Sequence, residues 1–214
     1  MEHGAPDWFI LRRATASCAE DFVGYWEQFY RASKNWPDSD FLDHLKWKGG
    51  DLTTEDIEQL IDWKTNGRKL PTWTQKPTGL IKRIRKLNKF RLKDMDEIFK
   101  EARKLSPTGL VKCCFICHII SPFHYPIWDQ NVFRAYLMIN GRWNELEREP
   151  SAINEENQYQ TYRGDFRSWM ANVSPNIQRE GEKEVKFPPF RRLDRALFAM
   201  GSNWELIVRT RYPD

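Results

Sequence analysis

Leu105-Ser106-Pro107-Thr108-Gly109 separates two runs of helical periodicity and reads as a compact turn. Before it, Asp94 to Leu105 sets Met95, Ile98, Phe99 and Ala102 at i, i+3, i+4 and i+7. Asp94, Asp96 and Glu97 come early in that run and Arg103 and Lys104 late, as the helix macrodipole prefers. After the turn, Leu110 to Ile120 is apolar almost throughout and ends at Ser121-Pro122. Tyr125-Pro126-Ile127-Trp128 then leads into Asp129-Gln130-Asn131-Val132-Phe133-Arg134, which opens a helix that reaches Ile139 and stops at Asn140-Gly141.

The same periodicity extends in both directions. Phe22, Tyr25, Trp26, Phe29 and Tyr30 form an aromatic stripe at i, i+3, i+4, i+7 and i+8, a pattern that favours core packing over stacking on bases. Asp38-Ser39-Asp40 opens a short segment with Phe41, Leu42 and Leu45. Thr53 with Asp56 three residues on is a variant capping box. The helix it starts carries Ile57, Leu60, Ile61 and Lys64 toward a stop at Gly67. From Leu80, a stripe of Ile81, Ile84 and Leu87 is wrapped by Lys82, Arg83, Arg85, Lys86 and Lys89. A later helix holds Tyr159, Tyr162, Phe166 and Met170, and Asn172 to Pro189 reads as loop. Arg191 to Met200 closes the fold, with Leu193, Ala196, Leu197 and Met200 on one face and Gly201 as its stop. Period-two alternation is scarce. The predicted class is all-α, a two-lobed helical fold with few or no strands.

The 214 residues carry 34 Lys+Arg against 30 Asp+Glu, a formal charge of +4. That small excess hides a segregation. Lys64 to Lys93 holds 11 basic residues and no acidic one, which leaves −7 for the rest of the chain. Such a block is either a solvated face balancing an acidic remainder or a surface that tracks phosphates, and the way Lys82 to Lys93 wraps its helix favours the second. Apolar residues at 40%, together with 10 Trp and 13 Phe, supply more buriable area than a disordered chain carries. No apolar run approaches the roughly 18 residues of a bilayer span, and the first seven residues contain Glu2 and Asp7 with no secretory h-region. A cytoplasmic or nucleoid-associated protein without membrane contact is expected.

Cys113, Cys114 and Cys117 lie too close on one helix to pair in ordinary disulfide geometry, so a reducing compartment fits them. Cys114-Phe115-Ile116-Cys117-His118 matches the haem-attachment spacing, but it sits inside an apolar run that reads as core. No second Cys/His pair at ligand spacing completes a zinc site, and no metal is expected.

Two features of the 105–134 stretch carry chemistry. A tight turn ending in Gly109 leaves the first N–H groups of the next helix without intrahelical acceptors, and the helix dipole there favours an anion such as a phosphate. Asp129, flanked by Tyr125, Pro126, Ile127 and Trp128, is a partly desolvated carboxylate whose field on nearby charge is correspondingly strong. Taken alone, an Asp at a helix start is most often an N-cap.

In this stretch the sequence resembles the helix-hairpin-helix DNA glycosylases. Leu105-Ser106-Pro107-Thr108-Gly109 has the length and ends of the family hairpin, Leu-x-Gly-x-Gly, with Pro107 in place of its first Gly. Asp129-Gln130-Asn131-Val132-Phe133-Arg134 fits the family's Asp-x-x-(apolar)-x-Arg. Members that also cleave the strand carry a Lys two residues after the hairpin's last Gly and about 18 before the Asp. Both distances land here on Val111, with Lys112 one residue out.

The resemblance implies a single domain over 1–214, of two helical lobes with the cleft near 105–134. It implies a DNA repair enzyme that flips out a damaged or modified base from double-stranded DNA and excises it by N-glycosidic hydrolysis, without lyase activity. Asp129 is then the catalytic carboxylate. The hairpin positions Thr108, Gly109, Leu110, Val111 and Lys112, with Lys82, Arg83, Arg85, Lys86 and Arg134, contact DNA. Trp128, Tyr125, Phe123, Trp73 and Trp36 are candidate walls of the base pocket. No cofactor is implied beyond a monovalent cation at the hairpin, and a monomer is expected. The alternative is a DNA-binding module that keeps the hairpin fold without catalysis.

Overall fold

The computed structural model describes residues 16–31, 37–47, 51–67, 84, 86, 95–105, 109–148, 156–180 and 183–211. Among these the helices are α1 (Ala16–Glu27), α2 (Asp38–Leu45), α3 (Thr54–Thr65), α4 (Met95–Leu105), α5 (Leu110–Ile120), α6 (Gln130–Ile139), α7 (Trp143–Arg148), α8 (Glu156–Met170), α9 (Pro189–Ser202) and α10 (Trp204–Arg211). The fold is all-α, with one two-stranded sheet among the described residues, β1 (Asn176–Glu180) with β2 (Lys183–Phe187). That hairpin falls where the sequence reads as loop. Half-buried and exposed residues alternate along β1, but over only five positions, too few for a period of two to stand out.

The chain divides into two compact units, one made of Met1–Arg31, Pro126–Gln178 and Lys186–Asp214, the other of Ala32–Tyr125 and Arg179–Val185. In the first unit α9 packs along α6 and against α1. The apolar face predicted for α9 is the buried one, with Leu193, Ala196, Leu197 and Met200 all fully enclosed. The N-terminal end of the helix is seated by charge. Arg191 donates to Asp194 Oδ2 at 2.6 Å and to the Tyr30 hydroxyl at 2.8 Å. Arg192 donates to Glu27 Oε2 at 3.0 Å, to Glu20, and to the Ser174 carbonyl at 2.7 Å. Arg191, Arg192, Glu27 and Asp194 are all buried, so each charge needs these partners, and removing one would strand the other.

Gly201 is not the stop the sequence suggested. It lies within α9, buried, and the helix runs on to Ser202 with Asn203 as its cap. The aromatic stripe is also only half core. Phe22 and Trp26 are buried, whereas Tyr25 and Phe29 are exposed and pack on each other at 5.3 Å.

In the second unit α4 packs against α5, and α2 against α3. The predicted capping box is present. Thr53 Oγ1 accepts from the Asp56 N–H at 3.1 Å, and Asp56 Oδ2 accepts from the Thr53 N–H at 2.9 Å. Asp56 Oδ1 also takes the Nδ1–H of His44 at 3.0 Å and the Lys46 ammonium at 3.2 Å, tying the end of α2 to the start of α3. At its own start α2 has Pro37, which has no capping side chain. Glu180 supplies the acceptors instead, taking the N–H of Asp38 at 3.2 Å and of Ser39 at 2.8 Å. Cys113, Cys114, Cys117 and His118 are buried in α5, as a core reading requires. His118 donates through Nδ1 to the Tyr125 carbonyl at 2.7 Å.

Candidate functional site

Asp129 is the N-cap of α6. Its backbone is extended (φ −146°, ψ 179°), and its Oδ1 accepts from the N–H of Asn131 and of Val132, both at 3.0 Å. Two donors converging on one oxygen fix the carboxylate's direction against the helix axis, and the positive end of the dipole lies beneath it. The residue is half-buried.

Its flank explains why the helix begins there. Trp128 is fully enclosed in an aromatic cluster, with ring centroids 5.5 Å from Phe133, 5.7 Å from Tyr159 and 4.9 Å from Tyr162. Tyr159 donates its hydroxyl to the Pro126 carbonyl at 3.3 Å. Burial of Trp128 thus anchors the residue before the cap, and the carboxylate emerges at the edge of the core.

On the next turn Arg134 lies over the Trp204 ring at 5.0 Å, with Nη1 3.5 Å from the Asn131 Oδ1. Burial lowers its pKa, and the charge of Glu205 opposes that shift. The sequence points to Arg134 but not to the parts that Trp204 and Gly201 play against the first turns of α6. An ideal Cβ on Gly201 would fall 1.7 Å from the Asn131 carbonyl oxygen, so only glycine fits. Local spacing gives no signal of either role, because both depend on the packing of α6 against this end of the chain.

The hairpin positions belong to the other unit. Leu105 ends α4 and Gly109 caps α5; residues 106–108, Thr108 among them, lie outside the described residues. Gly109 has no side chain to serve the first-turn N–H groups of α5. Leu110 is buried, and Val111 and Lys112 are half-buried. Burial lowers the Lys112 pKa.

Of the basic segment, Ile84 is buried and Lys86 exposed, as the predicted stripe requires, while Lys82, Arg83 and Arg85 lie outside the described residues. So do Trp36 and Trp73. The other proposed pocket walls divide. Trp128 and Tyr125 are wholly buried core rings, since their large apolar area is best satisfied there, and Tyr125 stacks on Phe99 at 6.4 Å. Phe123 is half-buried beside Trp47.

Among the described residues no group of His, Cys, Asp and Glu could hold a metal ion. Among them, too, no helix is long and apolar enough to cross a membrane. Comparison of the chain with protein-family models, with curated proteins and with solved structures finds no match to any of them.

Proposed function

We propose that the chain is a monofunctional DNA N-glycosylase in which Asp129 is the catalytic carboxylate. The observation that carries this reading is the Asp129 cap: a half-buried carboxylate held by two backbone N–H groups at the motif position, with Arg134 one turn further along α6. In the reaction the C1′–N bond breaks and its electron pair leaves with the base. Asp129 stabilises the oxocarbenium that develops on the sugar and takes a proton from the water that adds to C1′. A carboxylate whose direction is already fixed needs no reorganisation at that moment. The first-turn N–H groups of α5 and the basic block from Lys64 to Lys93 hold DNA phosphates, which positions the duplex without reading its sequence. The target base leaves the stack, so damaged or modified bases are the favoured substrates. Val111 supplies no amine for a Schiff base, and the enzyme stops at the abasic site.

A DNA-binding module without catalysis is the second reading. It is favoured by the same cap, because helix capping alone would be reason enough for an Asp at that position. Incubation with duplexes carrying alkylated, deaminated, oxidised or hypermodified bases, followed by alkaline cleavage of abasic sites, separates the two. Release of a base by the native chain and its loss in Asp129→Asn are expected. No release from any duplex would leave the binding module.

A further inference from the structure

We infer that Gly201 is a positioning residue for Asp129, acting through the single peptide group that joins Asn131 to Val132. The inference rests on the proposed catalytic role of Asp129. The carbonyl of that peptide is the atom Gly201 abuts: an ideal Cβ there would lie 1.7 Å from Asn131 O, 2.5 Å from its carbonyl carbon and 2.9 Å from its Cα. The N–H on the other side of the same plane belongs to Val132 and donates to Asp129 Oδ1 at 3.0 Å. Because a peptide group moves as a rigid plane, a push on its carbonyl turns its N–H. The backbone of α9 at residue 201 is therefore a stop against which the carboxylate's holder is set.

The two sides of this contact are not equally free to yield. On α9, the Ser202 hydroxyl and the Asn203 side chain both donate to the Ala199 carbonyl, at 2.9 and 2.8 Å, and the buried Arg191 and Arg192 pairs fix the helix further back. On α6, the abutted peptide belongs to the first turn, where the Asn131 and Val132 N–H groups are held by the Asp129 side chain rather than by a helical carbonyl. A methyl group at 201 would have to move that peptide by about 1.3 Å before the contact reached 3.0 Å. A misplacement of about 1 Å in a reacting group costs about 100-fold in rate.

The test compares the native chain with Gly201→Ala and with Gly164→Ala, whose added methyl meets nothing within 4 Å. In Gly201→Ala the Val132 amide should exchange with solvent at least about tenfold faster, relative to Leu137 in the same helix. The kcat for base release should fall by about 100-fold with KM within about twofold. Gly164→Ala should change neither. A Val132 amide as protected as in the native chain would overturn the inference. If the native chain releases no base, the glycosylase reading falls while the amide comparison still decides the positioning. Should Gly201→Ala not fold, Asp129→Ala, which removes both capping bonds, gives the reciprocal measurement. Releasing the Val132 N–H should shift the Gly201 Hα resonances through the shared peptide, and unshifted resonances would overturn the coupling.

Discussion

Asp56 offers a prediction whose size and sign both come from the structure. Its burial opposes ionisation, but the Thr53 N–H, His44, the Thr53 hydroxyl and Lys46 together outweigh that and hold its pKa at about 2, below the ordinary 3.8. A difference of that size contributes about 2 kcal/mol to folding when the carboxylate is ionised. Because the folded-state value is the lower one, the contribution is complete above pH 3.8 and disappears as pH falls through 2. Urea unfolding followed by tryptophan fluorescence, on the native chain and on Asp56→Asn from pH 6 to pH 2, measures it directly. Asparagine keeps an acceptor for the Thr53 N–H but gives up the charge, and carboxylates distant from the cap cancel in the difference. The native chain should be the more stable by about 2 kcal/mol at pH 6, by about half of that near pH 3, and by almost nothing at pH 2. A difference that stays constant across this range, or is absent at pH 6, would refute the assignment of these partners to Asp56.

Replacing Asp129 with Ala removes both capping bonds and should cost about 1 kcal/mol, whereas Asn, an equally good cap, should cost a few tenths; equal losses in urea unfolding would contradict the capping geometry. Glu180→Ala strips the Asp38 and Ser39 N–H groups of their acceptors and should cost about 1 kcal/mol, with faster exchange at those two amides; unchanged exchange would show that Glu180 holds nothing. Neutralising Lys82, Arg83, Arg85 and Lys86 should lower the log–log salt slope of DNA binding by about 0.9 for each phosphate that is no longer neutralised. An unchanged slope would mark the segment as a solvated surface.

What could be read from the sequence was whatever depends on neighbours along the chain. The Thr53–Asp56 box, the opening of α6 at Asp129 and the burial of α5 all follow from local spacing, and the structure has each of them. Long-range partners left no such trace. Glu180 caps a helix 141 residues away, and Arg192 reaches back to Glu20 and Glu27; a lone Glu in a strand or an Arg in a helix gives no sign of which partner tertiary packing will bring. Gly201 was misread for the same reason. Glycine at the end of a periodic run signals a stop locally, and only the approach of α6 reveals that it makes room. Trp128 and Tyr125 show a further limit: aromatic rings beside a carboxylate look alike in sequence whether they line a pocket or fill a core, and both are buried.

Capping and catalysis need not compete at Asp129, because they ask the same thing of the side chain. A cap must point its oxygen at the N–H groups of the first turn, and a carboxylate that stabilises positive charge must be fixed before that charge appears. Here one oxygen, Oδ1, takes both N–H groups, so the orientation of the whole carboxylate is set by the helix. That precision brings intolerance behind the helix, where the Gly201 contact leaves no room for a methyl group. The two roles therefore separate in one comparison. Asparagine at 129 retains the shape and the cap while losing the charge, and alanine at 201 retains the charge while moving the shape. If both abolish base release and only the second loosens Val132, the carboxylate's charge and its placement are each necessary. If neither alters base release, Asp129 is a cap alone.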